Sequence, residues 1–268
     1  MVLFAGLVCC PPSSAGEVLQ VGGTGSSLGT MRLLGAAFEK NNPGVKVLVP
    51  PSIGSSGAVR AVSKGALDIG LVSRPLTEEE RGLELSVITY AKTPFILVAW
   101  RTVAADELTL DDLERIYRGA LSKWPNGERI RPVLRPSNEI DTQLARRMSP
   151  GMDSAMGAAH GRPGMLMALT DQDCIEIIEK TPGSVGFSTL SQITAEKRVV
   201  KVLAVNGVVP GTKTLAAGAY PYAKTLSLIT KVAPSATVRR FVDFIFSPQG
   251  NKVLRDAGNI PVPKTARR

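Results

Sequence analysis

The sequence predicts an α/β fold built from repeated units of a strand, a loop of small residues and a helix. Residues 18–21 form the first predicted strand, and the loop Gly-Gly-Thr-Gly-Ser-Ser after it leads into a helix over residues 28–40. A second strand at 45–49 is followed by the loop Ile-Gly-Ser-Ser-Gly and a helix over residues 58–64. Because such a unit is the first half of an α/β motif, its repetition indicates this fold class.

Chain length is the second observation behind the prediction. The 268 residues are 44% apolar and moderately charged, which suffices for one large core or, more naturally, two smaller lobes. The apolar run Phe-Ile-Leu-Val-Ala-Trp at residues 95–100 is typical of a buried strand. We expect this strand to cross from one lobe to the other and, with a return crossing, to form a hinge.

End signals and apolar faces predict the remaining helices. Thr109 is a helix cap, and Thr170 with Asp173 form a capping pair for a helix that buries Cys174. Further strands are predicted at residues 66–74, 130–134, 184–189, 199–205 and 225–230, further helices from about residue 141 and over residues 238–254, and residues 149–164 fit neither pattern.

The charge of the chain limits the class of partner. Its 32 Lys and Arg against 23 Asp and Glu give a formal charge of +9, which suits nucleic acid, anionic lipid or a small anion. No run of five basic residues occurs, and the aromatic residues do not interleave with Arg or Lys as a base-stacking surface requires. We therefore expect no nucleic-acid partner.

The N-terminus has the pattern of an export signal. Residues 1–10 are apolar, and Ser13 and Ala15 offer a cleavage site before Gly16, although a positive charge at the start is missing. A plain hydrophobic N-terminus is the alternative. We expect an exported protein, periplasmic or associated with the cell envelope.

The cysteines bear on membrane attachment and on stability. Cys9 or Cys10 could carry a lipid anchor, which would be the protein's one attachment to a membrane. Removal of the leader leaves Cys174 alone, so no internal disulfide is available and stability must come from packing.

Hydroxyl residues beside glycine recur where helices begin. Ser26 and Ser27 follow the first strand, Ser55 follows the second, and Thr142 stands at a third helix start, which lacks the glycine. A helix N-terminus presents unpaired N–H groups and the positive end of the helix dipole, to which a hydroxyl adds a donor. Such loops suit an anion, and in an open α/β sheet they converge on one crevice. The alternative is that each hydroxyl merely caps its helix.

Charged residues at the ends of strands extend this prediction. Ser73 and Arg74 end one predicted strand and Arg135 ends another. The planar guanidinium group of arginine matches a tetrahedral oxyanion with two hydrogen bonds, so both arginines are candidate ligands, with a surface charge as the alternative for each. Asp141 is either a helix cap or an acceptor for the proton of monohydrogen phosphate. Fully ionised sulfate carries no such proton.

Signatures of enzymes, metals and cofactors are weak. His160 is the one histidine, no Cys and His cluster has metal-ligand spacing, and the first glycine-rich loop lacks the Gly-Lys-Ser/Thr ending of a phosphate-binding P-loop. We expect no metal and no cofactor. A hydrolase or transferase with Ser55 as nucleophile, and a signalling or adhesion module that binds no anion, are the alternatives to an anion-binding protein.

Several motifs in this order resemble the phosphate-binding subunits of ABC importers, in the type II periplasmic binding-protein superfamily. The resemblance covers nearly the whole chain after the leader. The motifs are Thr-Gly-Ser-Ser-Leu at residues 24–28, Ile-Gly-Ser-Ser-Gly-Ala at 53–58, Ala-Leu-Asp-Ile-Gly-Leu-Val-Ser-Arg at 66–74, Ile-Tyr-Arg-Gly-Ala-Leu-Ser-Lys-Trp at 116–124, Gly-Ser-Val-Gly-Phe at 183–187 and Phe-Ile-Phe-Ser-Pro-Gln-Gly at 244–250.

This resemblance implies a monomeric type II fold in which two α/β lobes with mixed sheets close on phosphate or a similar oxyanion for delivery to an ABC permease. The implied segments are a leader at residues 1–15, a first lobe at 16–96 completed by 197–268, and a second lobe at 97–196. By position the resemblance assigns ligand roles to Ser26, Ser27, Ser55, Arg135 and Thr142.

Two departures from the family pattern bear on specificity. Arg74 stands where many members have Asp after the strand Ser, and Ile140-Asp141-Thr142 replaces Ser-Gly-Thr. Arg74 would strengthen anion binding while removing the acceptor that distinguishes phosphate from sulfate. We expect Asp141 to restore that acceptor.

Overall fold

The computed structural model describes residues 16–264, so the predicted leader at 1–15 lies outside the described residues. The strands are β1 Glu17–Gly23, β2 Val45–Leu48, β3 Ile69–Val72, β4 Leu85–Ala99, β5 Glu107–Leu108, β6 Arg131–Leu134, β7 Leu166–Met167, β8 Ser184–Thr189, β9 Lys201–Val205, β10 Ala223–Lys231 and β11 Ile260–Pro261. The helices are α1 Gly25–Asn41, α2 Gly54–Ser63, α3 Glu78–Arg81, α4 Leu110–Arg118, α5 Ile140–Arg146, α6 Pro150–His160, α7 Asp171–Lys180, α8 Leu190–Ala195, α9 Thr212–Ala216, α10 Ala236–Phe246 and α11 Pro248–Asp256.

The strands form one mixed sheet with the principal order β2-β1-β3-β10-β4-β8-β6-β7. β1 runs parallel to β2 and β3, whereas β10 is antiparallel to both β3 and β4. The class predicted from the sequence, α/β with mixed pairing, is confirmed.

The long strand β4 joins two parts of the sheet. Its residues 85–94 pair with β10, and its residues 95–99 pair with β8, with 97–99 also bonded to β9. The apolar side chains on the two sides of this change of pairing partner are buried in separate clusters. Two clusters draw on residues 19–91 and 226–254, and the other two draw on residues 95–205 and Tyr220.

Helix boundaries differ from the sequence prediction at instructive places. α1 begins at Gly25, so Ser26 and Ser27 lie in its first turn rather than in a loop before it. The prediction of a single closing helix over 238–254 is wrong, because the chain forms two helices, α10 and α11, with a break at Ser247. Pro248 lacks the N–H that a continuous helix requires, and the Ser247 hydroxyl instead accepts from the N–H of Gly250 at 3.1 Å.

Residues 149–164, whose sequence fits no helix or strand pattern, contain α6. Ser149 caps this helix by accepting from the N–H of Met152, and Pro150 occupies its first turn, where a missing N–H costs nothing. No helix within residues 16–264 has the length and hydropathy that crossing a bilayer requires.

Candidate functional site

Among the described helices, α1, α2 and α5 have no cap from the side chain of the residue before them, and α9, which begins after Gly211, shares this feature. The Ser or Thr before each of seven other helices accepts a hydrogen bond from a first-turn N–H, as N-caps normally do. These seven residues are Thr77, Thr109, Ser149, Thr170, Thr189, Ser235 and Ser247. At the three predicted helix starts the N-cap side chains accept no first-turn N–H, although the Gly54 N–H donates to Ser52 Oγ at 3.4 Å and the Ser27 N–H donates to the Thr24 carbonyl at 3.2 Å.

A cluster of hydroxyl groups joins the start of α1 to the end of β3. Thr24 Oγ1 lies 3.2 Å from Ser26 Oγ and 3.2 Å from Ser73 Oγ, and all three residues are buried. The backbone N–H of Ser73 donates to Ser55 Oγ at 3.2 Å, which adds the start of α2 to the same cluster. Three predicted site residues on three separate elements are thus brought together.

Two predicted site serines, Ser27 and Ser55, each have a hydroxyl proton that no described residue accepts. Ser27 Oγ accepts from the Tyr90 hydroxyl at 3.0 Å, and Ser55 Oγ accepts from the N–H of Ser73. Neither serine donates a hydrogen bond to any residue within 16–264. Each can therefore still donate to an incoming anion.

Arg135 follows β6, with only 6% of its surface exposed. Its backbone carbonyl accepts from Thr142 Oγ1 at 3.0 Å and lies 2.8 Å from His160 Nε2. Its guanidinium group donates to the Ala168 carbonyl at 3.4 Å and lies 3.6 Å from Glu139 Oε2. The buried Nε has no hydrogen-bond partner among the described residues, and such a donor is costly to leave unsatisfied.

Thr142 has a different contact from the one predicted. Its single hydroxyl proton goes to the Arg135 carbonyl. A hydroxyl has only one proton to donate, so in this geometry Thr142 positions Arg135 and has no proton left for an anion.

Next to Arg135 lies a buried cluster of opposite charges that the sequence analysis did not anticipate as a unit. The Lys224 ammonium group contacts Asp141 Oδ1 and lies 3.1 Å from Asp171 Oδ1. The three side chains are 1%, 3% and 7% exposed, respectively. With Arg135 the cluster holds two positive and two potentially negative groups.

The two carboxylates respond differently to burial. Burial raises the pKa of Asp141 to about 6, and the charge of Asp171 adds to the rise, although Lys224 opposes it. Burial would also raise the pKa of Asp171, but the charges of Lys224 and Arg135 outweigh it and hold that pKa at about 2. At neutral pH the shift identifies Asp141 as the carboxylate with the less favourable charge.

The start of α1 touches the start of α7 in this region. Gln172 Nε2 donates to the Gly25 carbonyl at 3.0 Å. A Cβ atom on Gly25 would lie 2.2 Å from Gln172 Oε1 and 2.8 Å from Asp171 Cβ. Only glycine fits here without a shift of α1 or α7. The hydroxyl groups at the start of α1 are therefore adjacent to the charged groups around Lys224.

Arg74 is placed at the site but is already paired. Its guanidinium group donates to both carboxylate oxygens of Glu80, at 2.6 and 2.7 Å, and to Ser56 Oγ at 2.8 Å. The hydrogen bond to Glu80 is also the main cause of the raised pKa of Arg74. Its role as an anion ligand stays a prediction, and here Glu80 neutralises its charge.

A cavity of about 270 Å³ lies between α2 and α5. The start of α2 lines one side of it, and Asn138, Glu139 and Ile140 line the other, with Arg74 at the edge. The starts of α2 and α5 therefore face each other across an open space.

Sequence reasoning missed Lys224 and gave Asp171 no role at the site. The signal for Lys224 was present in the strand pattern, because Lys224, Leu226 and Leu228 alternate along β10 and all three are buried. A lysine on the core face of a strand requires a buried partner. The sequence could not show which carboxylates supply it.

The fold and this arrangement of helix starts define a class, the type II periplasmic binding-protein fold. A family model described as a PBP superfamily domain matches residues 11–249, and the chain belongs to that family. The resemblance found in the sequence motifs is therefore confirmed.

Two named relatives are similar to this chain over most of its length. The chain is 26% identical over 250 residues to the phosphate-binding protein PstS of Bacillus subtilis, covering 89% of this chain and 79% of the relative. It is 27% identical over 253 residues to the protein SphX of Synechococcus elongatus, with 85% and 73% covered.

Solved structures share the fold. A putative phosphate ABC transporter substrate-binding protein from Clostridium perfringens, with bound phosphate, gives a TM-score of 0.77 at 19% identity, covering 92% of this chain and all of that one. The molybdate-binding protein of Azotobacter vinelandii gives 0.63 at 14% identity, with 92% and 100% covered. At these identities the comparison shows the fold alone, and it includes proteins for different oxyanions.

Proposed function

We propose that this protein is a solute-binding protein that captures inorganic phosphate, or a similar tetrahedral oxyanion, and delivers it to the permease of an ABC importer. The observation that carries the proposal is the buried Nε of Arg135, which has no partner among the described residues and lies near the starts of α1 and α2, whose N-cap residues accept no side-chain hydrogen bond. An oxyanion would accept from this guanidinium group, from the N–H groups of α1 and α2, and from the hydroxyls of Ser27 and Ser55.

The lobes in this proposal start from the predicted segments, 16–96 with 197–268 and 97–196. The change of partners along β4 supports two lobes. The apolar clusters favour a second lobe that extends beyond residue 196, because Leu203, Val205 and Tyr220 pack with residues 95–187. Gly25 and Lys224 of the first lobe already contact Gln172 and Asp141 of the second, so the anion would enter when the lobes open and would be enclosed when they close again. A periplasmic or envelope location, an ABC permease as partner and a monomeric state belong to the same proposal, and the relatives named as phosphate-binding proteins support it.

Calorimetry on the purified protein tests the proposal. Titrations with phosphate, arsenate and sulfate should show one site, and Arg135→Gln should weaken binding at least a hundredfold. Arg115→Gln is the matched control, because Arg115 is half-exposed on α4 and pairs there with Asp111 and Asp112. The absence of binding by all three anions to the wild-type protein would refute the proposal.

The contacts of Ser55 argue against the enzyme alternative. A nucleophilic serine needs a base that accepts its proton, yet the partner of Ser55 Oγ is the N–H of Ser73, which donates to it. The ring nitrogens of His160 lie near the carbonyls of Met156 and Arg135, not near a serine. We expect no turnover of a chromogenic phosphate or acyl ester, and turnover that Ser55→Ala abolishes would favour the enzyme.

A further inference from the structure

A second cavity, of about 490 Å³, lies away from the proposed anion site, between the end of α4, the segment before β6 and the segment between α6 and β7. Four arginines line it, and no Asp or Glu is among its lining residues. They are Arg118, Arg129, Arg131 and Arg162. A cavity with several guanidinium groups and no acidic lining residue is a positive site without its counter-charge.

Most of this positive charge is unpaired. Arg118 lies 3.6 Å from Glu114 Oε2, whereas the other three arginines form no ion pair within residues 16–264. Arg131 donates to the Pro182 carbonyl at 2.7 Å. Among the described residues, the one acceptor for the half-buried guanidinium group of Arg162 is the sulfur of Met165, at 3.1 and 3.3 Å, and sulfur is a weak acceptor.

The rest of the lining is largely apolar. Its apolar side chains are Ile116, Leu121, Ile130, Pro132, Pro163, Met165 and Leu166. The volume falls in the range of about 300 to 1,000 Å³ that is typical of sites for small organic ligands, and a single inorganic ion would leave most of it empty. The cavity therefore matches a ligand with both an anionic group and an apolar body.

We propose that this cavity binds an organic phosphate ester whose phosphate group contacts Arg129 and Arg162 and whose apolar part lies against Leu121 and Met165. A phosphate monoester carries about −1.5 to −2 charges at pH 7, which matches more than one guanidinium group, and the planar arginine fork fits its oxygens. The ester has two sources, a free organic phosphate or the headgroup of an anionic lipid.

The experiment uses phenyl phosphate, vesicles of phosphatidic acid, and vesicles of phosphatidylcholine as the neutral comparison. We expect phenyl phosphate or the phosphatidic acid vesicles to bind the wild-type protein, and the double variant Arg129→Gln/Arg162→Gln to bind at least tenfold more weakly. Arg115→Gln, on the same helix as Arg118, should bind like the wild type. Binding by phenyl phosphate alone identifies a free ester, and binding by phosphatidic acid alone identifies a lipid.

Two further measurements separate this cavity from the proposed anion site. Arg135→Gln should leave phenyl phosphate binding at the second cavity intact, and the double variant should leave binding of inorganic phosphate unchanged. In the wild type, addition of the ester that binds, phenyl phosphate or phosphatidic acid, should shift the amide NMR signals of residues 118–131 and 162–166, a test that needs no variant. The proposal is overturned if neither ester binds, if phosphatidylcholine binds equally well, or if those signals do not move.

Discussion

Asp141 and Asp171 share one lysine, yet their environments shift their pKa values in opposite directions. Asp141 has its pKa raised from 3.8 to about 6, so the folded protein holds the proton of Asp141 more tightly than the unfolded chain does. Asp171 has its pKa lowered to about 2, so folding favours its charged form. Replacement of each carboxylate by its amide should therefore change stability in opposite directions.

Asp141→Asn should be more stable than the wild type at pH 7, by at most about 3 kcal/mol at 1.36 kcal/mol per pKa unit. The wild type loses stability relative to this variant as pH rises from about 4 to about 6, and the difference should be constant above pH 6. Asp171→Asn should be less stable than the wild type at pH 7, and that deficit should shrink as pH falls from about 4 towards 2. Urea unfolding between pH 3 and 8 measures the free energy of unfolding of both variants relative to the wild type. If this difference changed with pH in the same way for both variants, the expectation would be contradicted.

Arg135 depends on Thr142 for the position of its backbone. Thr142→Val removes the hydrogen bond to the Arg135 carbonyl, so we expect weaker phosphate binding by about tenfold, whereas Thr142→Ser keeps the donor and should bind almost normally. Calorimetry on the two variants compares them directly. Equal affinities for Val and Ser would mean that the hydroxyl does not position Arg135.

Helix starts are the elements that build the proposed site. Within the described residues, α1, α2, α5 and α9 have no N-cap side-chain bond while the other seven helices have one, so at α1, α2 and α5 no N-cap side chain competes with the expected anion. The sequence correctly pointed to these three places. It did not show that Ser26 and Ser27 lie inside α1, because element boundaries depend on contacts beyond local sequence.

Gly25→Ala tests the contact between α1 and α7. A methyl group there would lie 2.7 Å from Asp171 Oδ2, which should hold α1 and α7 apart and weaken phosphate binding at least tenfold. Gly157→Ala on α6 is the matched control, because its nearest neighbour is an arginine nitrogen at 3.8 Å and alanine favours a helix. Calorimetry measures the affinities, and an unchanged affinity for Gly25→Ala would show that this contact is dispensable.

Lys224 links parts of the whole molecule that are distant in sequence. It lies on β10, between β3 and β4 in the sheet, while its partners Asp141 and Asp171 begin helices beside the other group of apolar clusters. Burial disfavours its charge, but the two carboxylates outweigh that effect and raise its pKa. The ion pairs therefore connect the two halves of the sheet.

Lys224→Met should leave two buried carboxylates without their main counter-charge. We expect it to lower the free energy of unfolding by about 3 to 5 kcal/mol at pH 7, as loss of one partner of a buried ion pair does. Adding Asp141→Asn removes one of those charges and should restore part of the stability. Urea unfolding measures both steps, and a single variant as stable as the wild type would show that the lysine is not needed.

The sequence by itself determined the α/β class, the family motifs and the helix starts where hydroxyl residues collect, because these depend on local patterns of small, apolar and capping residues. It also placed Arg135 at the end of a strand. Only the tertiary structure decided that Glu80 neutralises Arg74, that Thr142 supports Arg135, and that Lys224 binds two carboxylates. Each of these depends on which side chains meet across the fold, and charges far apart in sequence interact only after the sheet has brought them within a few ångströms of each other.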